Sequence, residues 1–444
     1  MDWYTFGLLL YDNLYLYLGI LAVSLFLYFI LFKKNYISFL DPLIFNLIYS
    51  VFGFSVVVFL YATQSIELKY FISYLLTQAA FFIGLFFFKP LTRNSIVSGT
   101  NVKTYFEYES MLIKLLFMLT SVTYIFVQLL SYKLVGIPLF LESRLGAYAD
   151  SGGLGILGRV LDVLRPATAF LLVYLLLEVK KGAGFKFYLF VYTVFLLLSF
   201  ALSGSKSLFM SLGFVLFIYL ILNAQKLKRY FFNLRKYERY IIAGGLSFAF
   251  IVIFAQLKSS DTGEGNSLNI FLYRLVASGD TYYFSYPNNN IETINGSKYF
   301  LALFGDIFST LRIVPRDYQP EVLGVQLFHI YTDADLIAGP NARHNVFGYI
   351  YYGMYGSIIF SFLIGFSLGF LRNKLFFSLK KNVIGQLLFM FLYINLCFIE
   401  TDPPVAMTGI ENVLLIFPVF LILAFMLYVP LYNMKKQKVG YEVG

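Results

Sequence analysis

The chain has 444 residues, of which 59% are hydrophobic, 20% aromatic and only 13% charged, with a mean hydropathy of +0.75. Soluble domains carry about 25% charged residues, so this composition excludes an ordinary water-soluble enzyme and implies a polytopic membrane protein. The 34 Lys and Arg exceed the 24 Asp and Glu by ten, but most of that excess lies in short connections between apolar runs, where it reports topology rather than a nucleic-acid partner.

The single cysteine, Cys397, lies within an apolar run, and the only histidines are His329 and His344. Neither a disulfide framework nor a Cys or His metal cluster is expected. The segment before the first apolar run has no Lys or Arg and carries Asp2, unlike the positive start of a cleaved signal, so the first span is expected to be retained.

Crossing about 30 Å of hydrocarbon takes about 20 helical residues, because a helix satisfies its own backbone polar groups there. Eleven runs meet or approach that length: 13–32, 42–62, 70–88, 111–132, 160–179, 187–203, 207–223, 240–256, 345–371, 383–399 and 412–432. Basic residues fall in alternate connections, including Lys33 and Lys34, Lys89 and Arg93, Lys180 and Lys181, Lys226 to Arg239, Arg372 to Lys381, and Lys435 to Lys438. Lys and Arg are retained on the cytoplasmic side, which predicts an exoplasmic N-terminus and a cytoplasmic C-terminus.

The exception among the opposite connections is Leu257 to His344, an 88-residue polar segment with six basic and nine acidic residues. Its length predicts an exoplasmic loop with function or structure of its own. The expected organisation is therefore 1–256 with eight spans, 257–344 as the loop with short helices, and 345–444 with three spans and a cytoplasmic tail.

No phosphate loop, nucleophile elbow or zinc-protease motif occurs, so ATP is not an expected ligand. Four polar segments at outer span ends are the functional candidates, since charge there is costly unless it faces a polar cavity. Glu142 to Gly155 carries Arg144 and four glycines between Gly146 and Gly155; it is either a flexible turn whose arginine snorkels or a loop that lets backbone approach a ligand. Ser203-Gly-Ser-Lys206-Ser207 is either an ordinary helix–helix turn or an anion pocket at a helix start. Arg274 interrupts the apolar face of the amphipathic run 270–277, where an interfacial helix would also account for it. The densest segment, Tyr331 to Asn345, brings Asp333, Asp335, Asn341, Arg343 and His344 to the start of the ninth span. Histidine is readily tuned for proton transfer, and a neighbouring guanidinium suits an anionic leaving group. Beyond it, Gly348, Gly353 and Gly356 alternate with Tyr349, Tyr351, Tyr352 and Tyr355, which fits an interfacial aromatic belt or sugar stacking.

This architecture, with several exoplasmic cations and a histidine ending a large loop, resembles the Wzy-type O-antigen and capsular polysaccharide polymerases, which group with the O-antigen ligases in a GT-C-like superfamily. Arg144 to Gly155 is similar to the family's Arg-x10-Gly element, and Ser203-Gly-Ser-Lys206-Ser207 to its Gly-Ser-Arg-Ser turn, with Lys206 where arginine is usual. The Arg343 to Gly353 interval has nine intervening residues rather than ten. The resemblance implies an all-α polytopic fold of GT-C-like type and a metal-independent glycosyltransferase without a cofactor. It implies substrates that are undecaprenyl-diphosphate-linked oligosaccharides, as donor and acceptor, in the bacterial cytoplasmic membrane, with a flippase and a chain-length regulator as partners. By that resemblance Arg144, Lys206, Arg274 and Arg343 would hold the diphosphate, with Gly155 and Asn341 in the binding elements, and His344 would act on the acceptor. The alternatives are an O-antigen ligase, and a flippase or transporter of lipid-linked oligosaccharide; a transporter would place its polar residues at mid-membrane in broken helices.

Overall fold

A computed structural model describes residues 1–98, 106–140, 155–179, 182–203, 206–233, 236, 240, 276–332 and 339–442. Among them the regular structure is helical throughout, with no strand. Among the described residues eight helices are long and apolar enough to cross a membrane, and they coincide with the first six, the ninth and the last of the expected spans. The seventh and tenth correspond to the shorter apolar stretches Met210–Leu222 and Val383–Cys397. The eighth, 240–256, lies outside the described residues apart from Tyr240.

The chain divides into two compact units. The first comprises Met1–Ser98, Ala224–Phe376 and Tyr393–Thr408. It contains helices α1 (Trp3–Asp12), α2 (Leu14–Phe32), α3 (Pro42–Ala62), α4 (Leu68–Leu85) and α5 (Arg93–Ser98). The described part of the large loop belongs to the same unit, not to a separate body.

Local chemistry sets the helix ends. Asp41 caps α3, its carboxylate accepting the Leu43 N–H at 3.2 Å, and Pro42 opens the helix where its missing N–H costs nothing. At that end Asp41 also pairs with Arg372 Nη2 at 2.7 Å, while the Arg372 Nε donates to the Tyr393 hydroxyl at 2.9 Å. Arg372, read from the sequence as a loop cation, is thus buried, with a side chain only 2% exposed.

The part of the ninth span (His344–Phe370) after Gly353 crosses α4 at glycines, while the part before it folds back so that Gly348 and Phe347 lie against Ser357 and Phe360. A Cβ on Gly84 would meet the Phe362 carbonyl, one on Gly365 the Phe81 carbonyl, and one on Gly369 the Leu85 carbonyl. Backbone therefore lies against backbone, the contact small residues permit in membranes. Gly353, at φ +70°, interrupts that helix nine residues after its start, a conformation glycine adopts without steric cost.

The second unit, Gly99–Asn223, Phe377–Leu392 and Gly409–Gly444, contains α6 (Phe106–Val135), α7 (Ile156–Glu178), α8 (Ala183–Leu202) and α9 (Lys206–Leu222). Helices α6 and α8 are joined by the Tyr124 and Ser199 hydroxyls at 2.8 Å and by those of Ser121 and Tyr188 at 2.7 Å. Across both units large apolar side chains remain outside, among them Phe26, Phe29, Ile83, Phe190, Leu363 and Met426, as expected where lipid rather than water is the solvent.

Candidate functional site

The remaining helices of the loop and the C-terminal third are α10 (Asp280–Ser285), α11 (Tyr299–Thr310), α12 (Leu323–His329), α13 (His344–Phe370), α14 (Phe376–Leu379), α15 (Val383–Cys397) and α16 (Pro403–Glu442). Around the start of α13 the first unit assembles a buried polar centre from α2, α3, α4, α10 and the turn before α16.

Arg343 is the N-cap of α13 and is 1% exposed. Its Nη2 donates to the Tyr49 carbonyl at 3.1 Å and to the Ser278 carbonyl. Gly53 of α3 makes room for it: a Cβ there would stand 3.8 Å from the Arg343 Cζ and 3.1 Å from the Tyr282 ring. Among the described residues no carboxylate is in ion-pair contact with this guanidinium, and its Nε has no hydrogen-bond partner. A buried arginine held by carbonyl dipoles alone keeps most of its charge available to an anion.

His344 is fully buried, its ring centroid 5.2 Å from that of Phe81. Its Nδ1 lies 3.2 Å from the Glu400 carbonyl oxygen. That acceptor assigns the proton to Nδ1 and leaves Nε2, which has no partner, as the basic nitrogen. Asn345 donates to the Thr77 hydroxyl at 2.8 Å and accepts from the Tyr282 hydroxyl at 2.7 Å. Gln78 donates to Ser50 at 2.9 Å and to the Glu400 carboxylate at 3.0 Å, and Tyr28 reaches the same Ser50 at 3.0 Å. The other Glu400 oxygen has no partner. A network with three open positions, on Arg343, His344 and Glu400, is costly to maintain for packing alone.

Its rim is carboxylate-rich. Thr281 donates its hydroxyl to the carbonyl of the exposed Asn341, and Ala342 N–H reaches the Asp402 carboxylate at 3.4 Å. Burial pushes the Asp402 and Glu400 carboxyls above the usual range, against the lowering pull of Arg343. Asp280 is pushed up to about 7 by burial, partly opposed by the Thr281 N–H and by Arg343.

Of the expected site residues the structure buries Arg343 and His344 next to each other, Arg343 against the Ser278 carbonyl and His344 against Phe81, and leaves Asn341 exposed just before them. Arg144, Arg274, Glu142, Asp333 and Asp335 lie outside the described residues. Lys206 begins α9, and Gly155 precedes α7 at φ +50° with open space around the position a Cβ would take, so backbone conformation rather than close approach calls for glycine there. His329 sits half-exposed on α12 with its Nδ1 3.4 Å from Glu321, away from the buried network.

Sequence reasoning passed over a polar cluster in the second unit. Arg159 of α7 donates to the Asn412 side chain at 2.7 Å, and Arg165 reaches the Gln128 side chain at 3.4 Å, with Asp162 between them on the helix. The signal was present: a run counted as a membrane span contained Asp162 and Arg165, a placement that by itself marks a functional candidate.

Neither a family model, nor a curated protein, nor a solved structure matches this chain.

Proposed function

We propose that the protein is a metal-independent membrane glycosyltransferase that polymerises undecaprenyl-diphosphate-linked oligosaccharide repeats into O-antigen or capsular polysaccharide on the exoplasmic face of the bacterial cytoplasmic membrane. The observation that carries this reading is the buried, carbonyl-held guanidinium of Arg343 against the middle of α3, beside a histidine whose basic nitrogen is unengaged. In the proposed reaction an acceptor sugar hydroxyl attacks the anomeric carbon of the donor chain, the bond from that carbon to the diphosphate oxygen breaks, and lipid diphosphate leaves.

Arg343 would take up leaving-group charge by exchanging the Ser278 carbonyl for a phosphate oxygen, and His344 Nε2 would accept the hydroxyl proton. Arg144, Lys206 and Arg274 are the further cations assigned to the diphosphate.

The test is chain extension by the purified protein with a defined lipid-linked repeat. Wild type is expected to build polymer, and Arg343→Ala, at matched folded protein, to build none. Translocation of the lipid-linked repeat without extension would replace this reading with a flippase, and transfer only to a lipid A core acceptor would replace it with a ligase.

A further inference from the structure

Helix α11, within the large loop, is apolar along one side and polar along the other. Phe300, Phe304, Ile307 and Phe308 follow the i, i+4, i+7, i+8 spacing of a single stripe, and Asp306, Ser309 and Thr310 fall opposite it. A stripe of that kind ordinarily packs on a protein core. Here Gly305, resting on Gln319, is the only fully buried residue of the twelve, and Phe300 is 51% exposed. Among the described residues the rings of Phe304 and Phe308 contact only that of Phe300, at 5.1 and 5.5 Å. The apolar surface runs on past the helix through the exposed Leu311 and Ile313. At 1.5 Å per residue the helix is about 18 Å long, too short to cross about 30 Å of hydrocarbon.

Its start stands at the end of a span. Gly296 closes on the Ile350 carbonyl, where a Cβ would collide, and the Tyr299 ring lies 5.9 Å from that of Tyr352, next to the Gly353 break of α13. Just beyond the break Tyr355, Ile359 and Leu363 are exposed on one side of α13, the side turned to lipid. This level is the polar edge of the apolar layer: Glu292 accepts from the Tyr70 and Tyr349 hydroxyls there and pairs with the exposed Lys69 at the start of α4.

The far end of α11 is closed in a way that retains a charge. The Ile313 N–H returns to the Phe308 carbonyl at 2.8 Å and the Arg312 N–H to the Ser309 carbonyl at 3.0 Å, the pair of bonds that ends a helix on a left-handed residue. That residue is Arg312, at φ +57°, a conformation glycine would adopt without steric cost. Arg312 and Arg316 are exposed and, among the described residues, make no ion pair. Guanidinium groups beside exposed Leu311 and Ile313 have the layout of the headgroup level, where phosphate oxygens accept from arginine and apolar neighbours enter the acyl layer.

We infer that α11 lies in the membrane interface, with its phenylalanine stripe among the acyl chains of the leaflet at Gly353 and with Arg312 and Arg316 at the phosphates of phospholipid headgroups. The large loop is then held down on the bilayer rather than projecting into water. Continuity argues for lipid over a second copy of the chain, because the stripe starts beside the lipid-facing side of α13 and ends in cations. The placement uses only α11 and α13, so it stands independently of the glycosyl transfer proposed above and of which side of the membrane that leaflet faces.

The experiment puts one nitroxide label at a time on the full chain in phospholipid nanodiscs and compares its collisions with oxygen, which dissolves in lipid, and with a nickel chelate, which stays in water. Phe304→Cys and Ile307→Cys read the stripe, Arg316→Cys reads the headgroup level, and Ser297→Cys, exposed before the helix, is the water reference. Cys397 is buried, and wild type taken through the same labelling corrects for it; melting temperatures matching wild type confirm folding. Labels at 304 and 307 are expected to show several-fold less chelate access than the label at 297 and to relax mainly by oxygen, while the label at 316 is expected to keep chelate access. Chelate access at 304 and 307 equal to that at 297 would put the stripe in water. Shielding there from both probes would put protein on it, a second copy included, and loss of chelate access at 316 would remove the arginines from the headgroup level; each of these results would overturn the assignment.

Discussion

Replacing Asp41 by Asn keeps the volume and the helix-capping oxygen of that side chain but removes its charge, which isolates one term of the first unit's stability. In the wild type the Asp41 carboxylate is fully buried and receives the Arg372 Nη2 at 2.7 Å, the Tyr393 hydroxyl, and two backbone N–H groups at 3.2 and 3.4 Å. Asp41→Asn leaves Arg372 uncompensated at 2% exposure, and breaking a buried pair from one side costs about 3–5 kcal/mol. Removing both charges, in Asp41→Asn with Arg372→Met, should cost less than the sum of the two single changes by at least about 1.5 kcal/mol, because neither ion is then stranded. Tyr393→Phe should cost about 1.5–3 kcal/mol, the scale of a hydrogen bond to a charged group. Reversible SDS unfolding of the purified protein, run as a double-mutant cycle, measures each value. A coupling below about 0.5 kcal/mol, the additivity expected of independent sites, would refute the view that this pair locks α3 to the π-helical segment Leu371–Leu375 after α13.

Gly365→Ala should destabilise by about 1–3 kcal/mol through overpacking against the Phe81 carbonyl, whereas Gly19→Ala, with nothing within 4 Å of the new methyl, should be neutral or stabilising; equal melting shifts for the two would dispose of the close crossing. Asp280, outside the membrane-spanning helices, holds its proton up to about 7 in the fold against 3.8 as the ordinary value. The folded state therefore binds more protons between those values, its contribution to stability falls as pH rises from about 4 to 7, and it is flat above. Asp280→Asn should flatten that part of the melting-temperature profile, and a curve parallel to wild type would reject the buried carboxyl. His344→Ala should slow chain extension by about 10²-fold or more if Nε2 takes the acceptor proton, while His329→Ala should extend normally; wild-type rates from His344→Ala would leave that histidine a purely structural donor to the Glu400 carbonyl. Ser297→Cys, at an exposed loop position, should react with an impermeant maleimide in spheroplasts, and labelling only after lysis would reverse the proposed topology.

Apolar run length made the spans legible, because hydrocarbon thickness sets a hard requirement that shows directly in composition. Arg343 and His344 were legible as a pair, since both stand at a polar-to-apolar boundary. Their burial was not, because the groups that seal them, Tyr49, Ser278, Tyr282 and Glu400, are scattered through the chain and carry no common spacing. Arg372 shows the limit of counting charge by loop: its partner Asp41 lies 331 residues away, and nothing local distinguishes it from the solvated Lys374. The crossing glycines Gly365 and Gly369 sit at the small-xxx-small interval, yet attention to the tyrosine-flanked glycines 348, 353 and 356 passed over them, although Gly84 supplies the matching surface on α4.

Helices meshed through side chains can shear by small adjustments, but α4 and α13 touch through their backbones, so their smallest change of register is about one turn, near 5.4 Å. Thr77 and Gln78 of α4 also hold Asn345, which stands before the Gly353 break. Mechanically they form a stator. Ser278 and Thr281, attached to the 341–343 strap by two hydrogen bonds, are the latch, and the Arg343 guanidinium is the catch that an incoming anion would release.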